Sequence, residues 1–227
     1  MNYLGLDTPA LIIDQEIMMK NIHFMQDYAN RNGVNLRPHT KTHKMPRIAK
    51  IQEAAGAKGI TVAKVGEAEV MAANGLKDIM IANQIVGPSK LHRVRKLAGS
   101  IDISFGIDSI EQTKLVEIAF ADALKPAEVV IEIEVGEERS GVIEEEKYID
   151  LLNYLKNCKN IHLKGIFSHD GDSYGAENFD ELKEIHLNSQ KRTLRFAEIA
   201  KEQGFELEIV SIGSTPSLMH DFPRANM

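Results

Sequence analysis

Short β-type runs and helical segments alternate along almost the whole chain, and this alternation limits the fold more than any other feature. Residues 34–36, 59–63, 78–82, 102–107, 128–135, 163–168 and 207–212 each read as a strand. Between them, residues 46–55, 66–73, 88–98, 109–124, 145–156 and 180–203 read as helices. Pro88 suits a first helical turn, while Gly56 and the Asn74-Gly75 pair mark helix ends. Ahead of these units, residues 9–14 read as a further strand, and Met18, Ile22, Met25 and Ala29 recur at helical spacing. Regular β-α alternation calls for a parallel sheet covered by helices. Two closures satisfy it: an open doubly wound sheet, or a (β/α)8 barrel of the TIM type. From Val34 onward the strands number seven, and residues 213–227 hold no convincing eighth. No linker or low-complexity segment interrupts the chain, so residues 1–227 read as one domain.

With 43% hydrophobic residues and a formal net charge of -6, the chain can bury a full core. Its mild acidity argues against nucleic acid as the main partner. No apolar run reaches membrane-spanning length, and Met1 to Gly5 lacks the basic-then-apolar pattern of a secretory signal. Cys158 is the only cysteine, which rules out an internal disulfide and fits a cytoplasmic setting. Several other features have plain readings. Glu144, Glu145 and Glu146 suit a helix N-terminus. Lys90, His92, Arg93, Arg95 and Lys96 form a solvated helix face, and His186 is a structural or exposed residue of the long helix.

In a barrel, functional residues gather at the C-terminal ends of the strands. Four such loops carry chemistry. After residues 34–36 comes Arg37, Pro38, His39, Thr40, Lys41, Thr42, His43 and Lys44, a concentration of cations on one loop. Neighbouring positive charge and partial burial both disfavour an ammonium, so one lysine can serve as a reactive amine. A solvated basic turn is the competing reading. After residues 128–135, Arg139 stands between Gly136 and Gly141; after 163–168 come His169, Ser173 and Tyr174. After 207–212 come Gly213, Ser214 and Thr215, followed by Pro216. That last turn suits a phosphate, because glycine permits close approach and the hydroxyls and backbone N–H groups donate. A plain helix N-cap explains the same residues. Amine, phosphate cup, arginine and histidine together match what pyridoxal phosphate requires of a protein.

Residues 37–44 resemble the cofactor-lysine segment of the D-threonine aldolase and D-serine dehydratase family, which has the alanine-racemase-like fold of pyridoxal phosphate enzymes. Lys64 to Glu69, followed by Asp78 to Gly87, resembles the D-threonine aldolase branch. Residues 136–141 and 213–217 resemble the family's arginine and phosphate loops, so the similarity covers nearly the whole chain in the right order. One departure is Ala63, where aldolase relatives often carry a polar amide. The resemblance implies a barrel of the alanine racemase N-terminal type. It further implies that Lys41 carries the Schiff base, that Arg139 contacts the cofactor oxygen, that His169 lies by the ring, and that Gly213 to Thr215 hold the phosphate. From their own positions, Ser173 and Tyr174 are expected to supply further hydrogen bonds, and His39 and His43, which flank the lysine, to contact substrate or tune Lys41.

The resemblance also implies parts that these residues do not supply. Relatives continue through an eighth strand into a β domain, where His and Asp or Cys ligands hold a divalent metal, Mn or Mg. Residues 9–14 belong with that second domain. Neither eighth strand, β domain nor metal ligands are found in this sequence, and His220-Asp221 does not replace them. A fragment, a natural truncation and half of a split protein all fit. A homodimer, or completion by another chain, is expected. The implied activity is a lyase acting on small D-3-hydroxy amino acids, cleaving D-threonine to glycine and acetaldehyde. Alternatives are D-serine dehydratase, hydroxyaspartate enzymes, an amino-acid racemase, or non-catalytic pyridoxal phosphate binding.

Overall fold

The computed structural model describes residues 5–223. Its sheet has six strands: β1 (Ile60–Val62), β2 (Asp78–Gln84), β3 (Asp102–Ile107), β4 (Ala127–Ile133), β5 (Ile161–Ser168) and β6 (Ile209–Ile212). Helix α1 (Gln15–Arg31) precedes the sheet, as does α2 (Pro46–Ala54). Helices α3 (Val65–Ala73), α4 (Pro88–Ala98), α5 (Ile110–Ala119), α6 (Glu145–Leu155) and α7 (Phe179–Glu202) connect the strands, and the short α8 (Thr215–Leu218) follows β6. Every pairing is parallel, and the strands lie in chain order from β1 to β6. A doubly wound sheet reverses its order at a switch point, and this sheet never does. The winding is therefore that of a (β/α)8 barrel, of which six strands are formed.

Two expected strands are not strands here. Residues 9–14 run as irregular chain with Leu11 fully exposed, because nothing among the described residues offers their N–H and C=O groups a ladder. Residues 34–36 join no ladder; the Lys58 N–H, two residues ahead of β1, donates to the Leu36 carbonyl at 2.8 Å. The pairing proper comes later, as a single parallel bridge between His39 and Thr61, and the Thr61 N–H donates to Pro38 at 2.8 Å. Pro38 has no N–H to extend a ladder, and the chain turns at Thr40–Thr42.

The main core lies between sheet and helices, where Ile79, Ile81, Phe105, Val129, Ile131 and Phe196 are fully buried. A smaller cluster of Met80, Val130 and Phe167 faces the other way, into the barrel. Alternation along β4 separates the two sets, and Glu132 shares the interior face with Val130. At the N-terminal end the interior is charged. A register shift between Val129 and Val130 leaves Lys164 outside the pairing, and its amine donates to Asp102 at 2.7 Å and Glu128 at 2.6 Å. Arg37 grips both oxygens of Asp78, at 2.6 and 3.0 Å. A Cβ on Gly165 would lie 2.1 Å from the Ile209 carbonyl oxygen, so β6 can approach β5 only at a glycine. All four residues of β6 remain half-buried, since no described strand pairs with its outer edge. Among the described residues, no helix is long and apolar enough to cross a membrane.

Candidate active site

The basic octet is fastened to the C-terminal end of β1. Thr40 is buried, and its hydroxyl donates to the Thr61 carbonyl at 3.1 Å. The Lys41 N–H donates to His39 Nδ1 at 3.2 Å, which leaves Nε2 as the protonated nitrogen of the neutral ring. Lys44 has a left-handed backbone, φ +52°, and its ammonium reaches Glu67 at 2.7 Å. The second Glu67 oxygen accepts the Ala63 N–H at 2.8 Å, so one carboxylate in the first turn of α3 ties the octet to the end of β1. The Ala63 carbonyl accepts from the Asn83 side chain at 3.1 Å, tying in the end of β2 as well.

The loops after β5 and β6 meet. His169 Nδ1 lies 3.1 Å from the Gly213 carbonyl oxygen, so Nδ1 donates and Nε2 keeps the lone pair of the neutral ring. The His169 and Tyr174 rings are 6.3 Å apart. Ser173 and Ser214 are buried with their hydroxyls 2.7 Å apart, and Ser214 donates to Ser217 at 3.2 Å. Ser217 in turn donates to Asp170, which has no exposure to solvent. Ser214 is the N-cap of α8, yet its hydroxyl makes no capping bond to that helix. Gly213 has φ +145°, where a side chain would be strained.

Electrostatics join these loops to the octet. Burial pushes His39 down to about 4, helped by the Lys41 ammonium and, more weakly, by His169, against the pull of Glu67. His39, Lys41 and His169 therefore sit within reach of one another's charge, at the C-terminal ends of the strands. The arginine loop after β4 is folded by Glu134, whose Oε1 accepts the N–H groups of Gly136 and Glu138. It sits directly on the β5 loop, because a Cβ on Gly136 would lie 2.6 Å from Asp172 and one on Gly171 would lie 2.2 Å from Glu137.

The expected site residues fall into two groups. His39, Lys41, His169, Ser173, Tyr174, Gly213 and Ser214 are linked through the contacts just given. Arg139 is half exposed and pairs with Glu137 at 3.2 Å. His43 turns toward α2, accepting the Met45 N–H at 3.0 Å, and burial lowers its basicity. Thr215 is exposed at the start of α8. Lys41 is also exposed, where partial burial was expected, because no described segment covers the octet. His186 is buried. Two residues that sequence reasoning missed matter in this site: Glu67, which clamps Lys44, and Asp170, which ends the hydroxyl chain. Glu67 had a signal, as the acid that starts a helix beside a basic loop. Asp170 had none beyond its place after a strand. No cluster of three or more His, Cys, Asp or Glu that could hold a metal occurs among the described residues.

Known proteins share this architecture. The alanine racemase N-terminal domain model matches residues 13–227. The chain is 32% identical to a D-threonine aldolase of Arthrobacter sp. over 216 residues, which are 95% of this chain and 57% of that protein. It is 33% identical over 218 residues to the D-threo-3-hydroxyaspartate dehydratase of Delftia sp. strain HT23, again covering 95% and 57%. The crystal structure of D-threonine aldolase from Filomicrobium marinum superposes with a TM-score of 0.87 at 33% identity, covering 91% of this chain and 56% of that one. The chain thus spans somewhat more than half the length of these relatives. With parallel strands in barrel order, a lysine loop on β1 and a family model matching almost end to end, the chain belongs to the family of the alanine racemase N-terminal domain.

Proposed function

We propose that this chain is the cofactor-binding part of a pyridoxal phosphate lyase for small D-3-hydroxy amino acids, with cleavage of D-threonine to glycine and acetaldehyde as its reaction. The observation that carries this reading is the convergence of the Lys41 loop, His169 and the Gly213 turn at one end of the sheet. The residues present fit such a cofactor. Lys41 offers an exposed amine to an aldehyde. The Gly213 turn offers a left-handed glycine and an N-cap hydroxyl that is not spent on capping. Arg139 is assigned to the ring oxygen, His169 to the ring, and Ser173, Tyr174, Ser214 and Thr215 to the phosphate side. When bound, pyridoxal phosphate supplies the electron sink for Cα–Cβ cleavage.

The chain's own residues divide the remaining work. His39 braces the Lys41 backbone and stays neutral, so it adds no charge beside the amine. His169 keeps a lone pair on Nε2 and can take the substrate hydroxyl proton. Glu67 pairs with Lys44, so Lys41 is the lysine of the octet assigned to the cofactor. The described residues do not fit a divalent metal, so no step is assigned to one. Completion of the barrel by a second copy or by another polypeptide accompanies this reading.

A dehydratase reading has support of its own, since the Delftia dehydratase is as similar as the Arthrobacter aldolase. Products separate the two. Purified chain with pyridoxal phosphate and Mn2+ is given D-threonine and D-threo-3-hydroxyaspartate. Acetaldehyde with glycine from D-threonine supports the aldolase. Ammonia with a 2-oxo acid supports the dehydratase, and cofactor binding without either product supports a carrier.

A further inference from the structure

The loop that carries Arg139 has a closed neck and a tip. The chain leaves β4 through Glu132, Ile133 and Glu134 and comes back through Gly141, Val142 and Ile143. At the neck the Val142 N–H donates to the Glu132 carbonyl at 2.8 Å, and the Glu134 N–H donates to the Val142 carbonyl at 3.1 Å. The two limbs can touch because residue 141 is glycine. Its φ is +98°, and a Cβ there would lie 2.8 Å from the Glu134 nitrogen. On the interior side, the Ser140 hydroxyl donates to the buried Glu132 carboxylate at 3.0 Å. At the tip, Glu137 pairs with Arg139 and lies against Gly171 of the β5 loop.

One side chain from outside the loop closes the neck. Arg192 of α7 donates from Nε to the Glu134 carbonyl at 2.6 Å and from Nη2 to the Ile143 carbonyl. Its guanidinium lies over the Phe196 ring, 5.0 Å from the centre. A planar fork with donors at fixed spacing suits two carbonyls that must keep a set separation. The next residue, Thr193, has its hydroxyl 2.7 Å from that of Ser168, which directly precedes His169. Consecutive residues of one helix thus hold the arginine loop and the histidine loop. The spacing between those two loops is set by α7.

We infer that Arg192 is a positioning residue for Arg139. By gripping both limbs of the neck it sets where the Arg139 guanidinium meets the cofactor ring oxygen. It acts through the loop and not by touching the ligand. A shift of about 1 Å is enough to forfeit much of an oriented contact, so pinning the neck matters more than its distance from the ring suggests. This inference rests on the proposed assignment of Arg139 to that oxygen.

The test compares two ligands by calorimetry: pyridoxine 5'-phosphate and its analogue lacking the ring 3-hydroxyl. Neither has an aldehyde, so Lys41 chemistry stays aside. The unaltered chain is expected to prefer the hydroxylated ligand by about tenfold, the worth of one charge-assisted hydrogen bond. Arg139→Ala should lose that preference. Arg192→Met, which keeps an apolar stem but no donor, should lose most of it while binding the 3-deoxy analogue as the unaltered chain does. Arg192→Lys keeps the charge and length but not the fork, and should lose it too. General loosening of the fold would instead weaken both ligands alike. Equal weakening, an unchanged preference in both Arg192 variants, or failure of both to fold overturns the positioning role and leaves the cofactor reading standing. No preference in the unaltered chain, or a preference kept in Arg139→Ala, removes the Arg139 assignment and this inference with it. No binding of either ligand by the unaltered chain overturns the cofactor reading itself.

Discussion

The two ends of this sheet carry charge in opposite ways. At the N-terminal end, the interior cations among the described residues are paired with carboxylates. Lys164 bridges Asp102 and Glu128, and Arg37 holds Asp78 with two bonds. At the C-terminal end the groups are left partly unmatched. Lys41 is exposed, and Asp170 and Asp172 each keep a buried oxygen without a partner. A matched layer is what a barrel floor needs, because an unpaired interior charge is costly. An unmatched layer contributes little to stability but leaves donors and acceptors for a ligand. Loops at one end of the strands can change their chemistry without disturbing the pairs at the other.

Substitutions at the two ends should therefore part company, and the largest difference is expected at Lys41. Lys41→Ala should abolish the visible absorbance of bound pyridoxal phosphate and all lyase turnover while leaving the denaturation midpoint unchanged. Retained colour and turnover would remove the assignment. Lys164→Ala should do the reverse. It leaves Asp102 and Glu128 facing each other, and a loss of about 1–2 kcal/mol is expected, discounted because both acids are partly exposed. Urea unfolding reads this loss, and an unchanged midpoint would mean that the floor is not held by charge.

Glu67→Gln stands between the two cases. Lys44 is well exposed, so the ion pair itself adds little, and about 0.5–1 kcal/mol of stability is expected to go. Its sharper effect should be on the octet, seen as weaker cofactor binding at unchanged absorbance maximum. Unaltered affinity would show that Lys41 is held without this clamp. The smallest effect concerns pH. His39 is held at about 4 when folded, against an ordinary value of 6.5. The unfolded chain then binds more protons between those values, so this contribution is full above pH 6.5 and is lost as pH falls toward 4. His39→Gln should flatten that part of the stability profile, and a profile that keeps its slope would assign it to other groups.

Much of this was legible in the residues. The bounds of α4 and β3 follow from Pro88 at a helix start and from an unbroken β-type run at 102–107, signals that are local and strong. Three of the four candidate loops were legible because each comes after a strand, and the octet was legible from its concentration of cations. The first strand was misread because 34–36 has strand-like composition, whereas extending a ladder depends on free N–H groups in the next residues, and Pro38 supplies none. The parts played by Glu67 and Asp170 escaped because each is defined by a partner more than twenty residues away.

By itself, then, the chain's order of residues determined the β-α repeat, the lysine loop, the Gly213 turn and the family they resemble, because propensity, periodicity and motif spacing are local properties. Only the tertiary structure decided that the strands wind in barrel order, that His39 braces while His43 turns away, and that a buried acid ends a chain of hydroxyls. Those outcomes depend on which distant groups share a low-dielectric interior, where the pairing of each proton and charge is set by three-dimensional neighbours.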